Sequence, residues 1–194
     1  MPMEPPPQPK PPPGQRGMTL GSALCTQCGL CCTGTVHDYA SLAPEEADFA
    51  RGLGLELVQG DRSGFALPCP RLQGCSCTIY ESRPRVCSRY KCQLLMDLEG
   101  GATDLATAVD KVQHAKKLIQ EVERELPSEM TLPEARKQFL TTEGNAPVDP
   151  RFMTLKLVLT VLCLYIDMHF KHGRETKFLS LEPMRPPRDL MEME

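Results

Sequence analysis

Between residues 104 and 126 the apolar positions fall at Leu105, Val109, Val112, Ala115, Ile119, Val122 and Leu126. Steps of three and four place them on one face of a helix, and Asp104 stands where an N-cap is wanted. Pro127 and Pro133 bracket the break before a short helix from Ala135 to Leu140, and residues 141–148 read as loop. Asp149-Pro150 opens a last helix, with aspartate as cap and proline at the first helical position. Its middle, residues 155–166, is apolar on nearly every side, which predicts a central helix buried all round. Lys171, His172 and Gly173 form its stop.

Upstream the pattern is shorter and more broken. Pro44, Glu45 and Glu46, followed by Phe49 and then Gly52 and Gly54, read as a short helix. Leu55, Leu57 and Val58 face Phe65 and Leu67 across the polar residues 59–63, the signature of a small hairpin. Residues 69–92 show little periodicity and read as loop. Residues 1–17 hold most of the N-terminal prolines and almost nothing apolar, so they form a disordered or polyproline II tail. Residues 181–194 have tail composition as well. The expected organisation is one domain over residues 18–180, with metal loops at 25–92 and helices at 104–172. Its class is mainly α: a small, irregular cysteine-rich domain with a short hairpin, packed on a few helices.

Composition moves attention to the first half. Nine of the ten cysteines lie between Cys25 and Cys92, tryptophan is absent and aromatics make up only 5%. Hydrophobic packing is therefore thinly supplied there, and a bound metal would offset the shortage. The N-terminus has no apolar core region and no small-residue cleavage site, so a cytoplasmic chain is expected. In that compartment CxxC spacing points to metal or redox chemistry rather than to disulfide staples. Residues 155–166, interrupted by Lys156, fall short of the roughly 18 apolar residues of a membrane span. A net charge of −3 argues against a chain-wide nucleic-acid footprint.

The chemistry lies in Cys25-Thr-Gln-Cys28-Gly-Leu-Cys31-Cys32 and in a second run, Cys69-Pro70, Cys75-Ser-Cys77, Cys87 and Cys92. Thiolates two residues apart on a tight turn can face one ion, and Gly29 relieves the crowding. Eight nearby cysteines suffice for two closed four-thiolate zinc sites. Cys-x2-Cys-x2-Cys with a remote Cys-Pro is also the ligand pattern of bacterial ferredoxins, and it favours an iron–sulfur cluster over Zn2+. Cys31 and Cys32 are adjacent, so their side chains diverge; they serve two centres, or one of them is a free thiol.

These residues resemble the CxxCxxCC family of zinc- or iron-chelating proteins, also called the YkgJ-type cysteine-cluster family. The resemblance spans residues 25–92 and includes Ile79-Tyr80 and Arg83-Pro84. It implies a metal centre on Cys25, Cys28, Cys31, Cys32, Cys69, Cys77 and Cys87. Cys75 and Cys92 lie outside that pattern and, with His37, are candidate extra ligands. The family includes a flagellin lysine N-methylase that looks iron–sulfur dependent, so a protein-modifying enzyme is one alternative. A structural zinc module without catalysis is another. The leading expectation is a redox or electron-transfer role with a protein partner.

Residues 61–92 carry six cations (Arg62, Arg71, Arg83, Arg85, Arg89 and Lys91) against two anions (Asp61 and Glu81), a net +4. Such charge suits an anionic thiolate centre, and nucleic acid is the less expected partner. Tyr80 either donates a hydrogen bond to a sulfur or simply packs. Cys163, among leucines, belongs to the core. His169 and His172 sit near a helix end, and no catalytic residue is assigned.

Overall fold

The computed structural model describes residues 19–58, 63–140 and 149–172. Both tails, the 141–148 loop and most of the hairpin turn lie outside them. The described residues are mainly helical, with seven α-helices and two small antiparallel sheets.

Two helices form the body. The longer, α5 (Leu105–Glu125), starts where Asp104 accepts the Thr107 backbone N–H at 2.8 Å. It buries Ala108, Val112, Ala115, Leu118 and Val122, while Val109 and Ile119 pack at the margin. Against it lies α7 (Met153–His169), entered through a 3-10 turn at Pro150–Phe152 that Asp149 caps through the Arg151 N–H. Leu155, Leu159, Leu162 and Ile166, at steps of four, three and four, are buried.

The opposite side of α7 corrects the expectation of a helix buried all round. Met153, Leu157 and Met168 are 56%, 65% and 66% exposed. An apolar helix has no polar face to signal its orientation, so docking on α5, with α6 beside it, selects which leucines are covered. Counted from Pro150 to His169, it is long and apolar enough, by length and composition only, to cross a membrane. Its 155–159–162–166 face is nonetheless committed to the core.

The cysteine segment is less loop-like than its sequence predicts. A helix, α1 (Leu20–Cys28), precedes and includes the first two cysteines. Thr19 caps it by accepting the Ser22 N–H at 3.1 Å, and Gly29 ends it at φ 74°. Gly21 lets it approach a later helix, α4 (Gln93–Glu99), since a Cβ there would stand 3.0 Å from the Leu95 Cδ1. Leu24, Leu30 and Val36 join Leu94, Leu95 and Leu98 in the same core as α5 and α7. The cysteine half thus shares the main core, and its packing is not thin at this end. At the far side α6 (Leu132–Leu140) sends Arg136 back to the Thr35 and Gly34 carbonyls, at 2.5 and 2.6 Å.

The expected short helix is present as a 3-10 turn at Pro44–Glu46 running into α2 (Ala47–Gly52). The expected hairpin is present as β2 (Leu57–Val58) against β3 (Gly64–Ala66). An unexpected third strand, β1 (Tyr39–Ser41), pairs with the other edge of β3. Gly64 permits this, because a Cβ would lie 2.3 Å from the Ala40 carbonyl oxygen. Leu42, Ala50, Leu55 and Phe65 form a second, smaller core beneath it. A two-strand ribbon, β4 (Leu72–Gln73) and β5 (Ser76–Cys77), and a short helix, α3 (Arg85–Arg89), complete the cysteine region.

Candidate metal centre

Nine thiols line a single cavity of about 520 Å³. They are Cys25, Cys28, Cys31, Cys32, Cys69, Cys75, Cys77, Cys87 and Cys92, and all are free. Cys163, on α7, packs against the main core and does not line the cavity.

The N-terminal side of the cavity is built by α1 and the turn that ends it. Cys25 and Cys28 are three residues apart on its last turn and therefore share a face. The Gly29 N–H returns to the Cys25 carbonyl at 3.3 Å, and the Cys32 N–H to the Gly29 carbonyl at 2.9 Å. This left-handed turn delivers Cys31 and Cys32 into the same space. Cys92 arrives from the far end of the segment as the N-cap of α4. Cys92 belongs to the main apolar core, and Cys28 and Cys31 pack against it.

The opposite side hangs on backbone hydrogen bonds. The Cys69 N–H donates to the Cys32 carbonyl at 2.8 Å, and the Leu72 N–H to the Cys69 carbonyl at 3.1 Å. The β4–β5 ribbon sets Leu72 opposite Cys77, so Cys69 and Cys77 flank one short hairpin. Pro84, fully buried, starts α3, and its carbonyl takes the Cys87 N–H at 3.0 Å. Cys69 and Val86 pack on the second, smaller core.

Burial is the largest influence on Cys25, Cys28, Cys31, Cys32, Cys69, Cys87 and Cys92. It pushes Cys28 up to about 12, aided by Cys92 and Cys25, and opposed by a backbone N–H. Cys87 is likewise pushed to about 12 by burial, then by Cys32, Cys69 and Cys77. Cys32 reaches about 11 by burial, then Cys69 and Cys77, with Arg83 opposing. Cys31 is raised well above the ordinary thiol range by burial, then by Cys92 and Cys28. Cys25 and Cys87 stand exposed at the mouth, yet enough protein flanks them for desolvation to raise both. Without metal these are protonated thiols. A soft cation would displace the protons and turn mutual repulsion into shared ligation.

Among the cations of residues 61–92, Arg83 acts on the most thiols. Its charge favours the thiolates of Cys25, Cys32 and Cys87. The guanidinium lies 3.6 Å over the Tyr80 ring and donates to the Tyr80 carbonyl at 2.8 Å. The Tyr80 hydroxyl shares a 2.9 Å hydrogen bond with the Ser22 hydroxyl, so it is engaged there rather than with a sulfur. Other members of the positive run have structural partners. Arg71 donates to the Leu53 carbonyl, Arg85 pairs with Glu45 and Glu46, and Lys91 pairs with Glu99.

Two residues behave differently from the rest. Cys75 lines the cavity, but its sulfur takes a 3.0 Å contact from the Lys116 Nζ on α5, which also donates to the Gln27 carbonyl. No spacing in the sequence signals Lys116. His37 also lines the cavity and meets the Tyr90 ring edge-on at 4.8 Å. Among the described residues, no three His, Cys, Asp or Glu side chains meet at ligating geometry. The thiols thus surround the cavity without closing on a point. A donor set dominated by thiols fits a zinc ion or an iron–sulfur cluster and does not fit a hard cation.

The model of the CxxCxxCC family, described as "Putative zinc- or iron-chelating domain", matches residues 24–122. That range runs from α1 through most of α5 and takes in all nine cavity thiols. No curated protein and no solved structure matches the chain.

Proposed function

Because the chain belongs to the CxxCxxCC family of zinc- or iron-chelating domains, we propose that its cavity holds a thiolate-bound iron–sulfur centre that exchanges electrons with a protein partner. The observation that carries this reading is the gathering of nine free thiols around one cavity. The Cys-x2-Cys-x2-Cys run with its remote Cys69-Pro70 supports iron–sulfur ligation. Cys25 and Cys87, at the mouth, give a bound cluster an edge near the surface, where a partner can approach.

When bound, the cluster supplies one-electron chemistry. The protein's own residues do the rest. The cysteines supply ligands, the two apolar cores exclude water behind Cys28, Cys31 and Cys69, and Arg83 offsets the negative charge of the thiolates. A structural zinc site is the second reading, favoured by the small size of the Leu42–Ala50–Leu55–Phe65 core, which gains from a metal cross-link.

Anaerobic purification decides between them. The expected product is brown, with iron and acid-labile sulfide in stoichiometric amounts. Colourless protein carrying stoichiometric zinc would overturn the iron–sulfur reading and leave the structural one.

A further inference from the structure

Nine thiols are one more than two four-thiolate sites require, and their surroundings sort them. Cys25 and Cys28 share a face of α1, Cys31 follows its cap, and Cys92 caps the helix that packs on α1 through Gly21. Cys92 lies in the main core, and Cys28 and Cys31 pack against it. Cys32 and Cys69 are joined by a backbone hydrogen bond, the β4–β5 register sets Cys77 opposite Leu72, whose N–H donates to the Cys69 carbonyl, and Cys87 follows Val86 on the second core. Consecutive side chains point apart, so Cys31 and Cys32 belong on opposite sides of that division. Cys75 is taken up by Lys116.

We infer that the cavity forms two metal centres of four thiolates each, one on Cys25, Cys28, Cys31 and Cys92, the other on Cys32, Cys69, Cys77 and Cys87. Cys92 thereby becomes a ligand and Cys75 does not, although both fall outside the family's core pattern. Arg83 lines the same cavity as both sets of thiols. The inference rests on the metal-binding reading but not on which metal is native.

The test is a cobalt(II) titration of the metal-free full chain, following the thiolate-to-cobalt absorption. Wild type should saturate at two equivalents. Cys92→Ser and Cys28→Ser should each bind one, and the double variant should still bind one, because both changes strike the same centre. Cys77→Ser should also bind one, the Cys28→Ser/Cys77→Ser pair none, and Cys75→Ser two. A second measurement uses unmutated protein, so it does not depend on any variant folding. Alkylation of the cobalt-loaded chain, read by peptide mass, should modify Cys75 and protect the eight ligands. Saturation at one equivalent, alkylation of Cys92 in the loaded protein, or loss of both equivalents in Cys28→Ser/Cys92→Ser would overturn the two-centre assignment. Native protein containing zinc would refute only the iron–sulfur reading, since the cobalt result does not depend on it.

Discussion

The backbone N–H of Cys69 donates to the carbonyl oxygen of Cys32 at 2.8 Å. This bond joins the two cysteine runs across 36 intervening residues. It makes the Cys-Pro element an extension of the turn that ends α1, and it holds both halves of the candidate centre together before any ligand bond forms.

That turn depends on Gly29. Its φ of 74° is costly for a residue with a Cβ, and the Cβ itself would stand 3.3 Å from the Cys75 Cα. Gly29→Ala should lower stability by about 1–2 kcal/mol and weaken metal retention. Gly52→Ala, at a helical site with nothing within 4 Å, should be neutral or stabilising. Denaturant melts and metal analysis on the two variants check this. Equal losses would mean that the turn is not what orders the cysteines.

Arg83 tests whether the positive run serves the thiolates or an outside polyanion. Arg83→Glu should cut metal affinity by about 10–100-fold, the range for a group that supports metal ligands. The loss should persist at high salt, because a partly buried interaction is screened less than an exposed one. Arg85→Glu, which replaces a surface partner of Glu45 and Glu46, should leave metal content unchanged. Full metal retention in Arg83→Glu, together with lost and steeply salt-dependent binding to DNA or RNA, would reverse the assignment.

The one-sided burial of α7 predicts unequal costs for two neighbouring leucines. Leu159 is fully buried, and Leu159→Ala should cost about 2–5 kcal/mol. Leu157 is 65% exposed, and Leu157→Ala should stay within about 0.5 kcal/mol. Thermal unfolding of the pair reads the difference. A comparable loss at Leu157 would show that its face is covered in solution.

Metal-free protein should be alkali-sensitive. Cys28 and Cys87 are raised from 9.0 to about 12 in the folded chain, so folding favours their protonated forms. The unfolded chain releases those protons first as pH rises, and stability falls progressively from about pH 9 to about pH 12. Stability from these groups is fully present below about pH 9. Metal-loaded protein should lack this loss, because its thiols are already deprotonated. Melting temperatures of the chelated and loaded forms at pH 8 and pH 10 provide the measurement; parallel declines would contradict the protonated-thiol picture.

Several features were legible in the residues because their cause is local. Asp104 and the 3.6-residue period define α5, Asp149-Pro150 opens the last helix, and the apolar pairs around residues 59–63 mark the hairpin. The candidate donor set was legible for the same reason, since thiols at CxxC spacing cannot avoid one another. Other features had weaker local signals. Thr19 and Gly29 cap α1, but the cysteines between them read as turn ligands, and α4 is only seven residues long.

What the sequence by itself determined, then, was the inventory: where α2, α5, α6 and α7 lie, and which thiols are candidates for a soft metal. Tertiary structure decided how those pieces are used. It selected the buried face of α7, gave Cys92 to the α1 side of the cavity and drew Cys75 towards Lys116. These relations join residues 41 to 67 positions apart in the chain, Lys116 to Cys75 and Cys92 to Cys25 among them. Spacing and capping act over about one helical turn, so neither can specify them. They follow from where two apolar cores bring α1, α4 and α5 together.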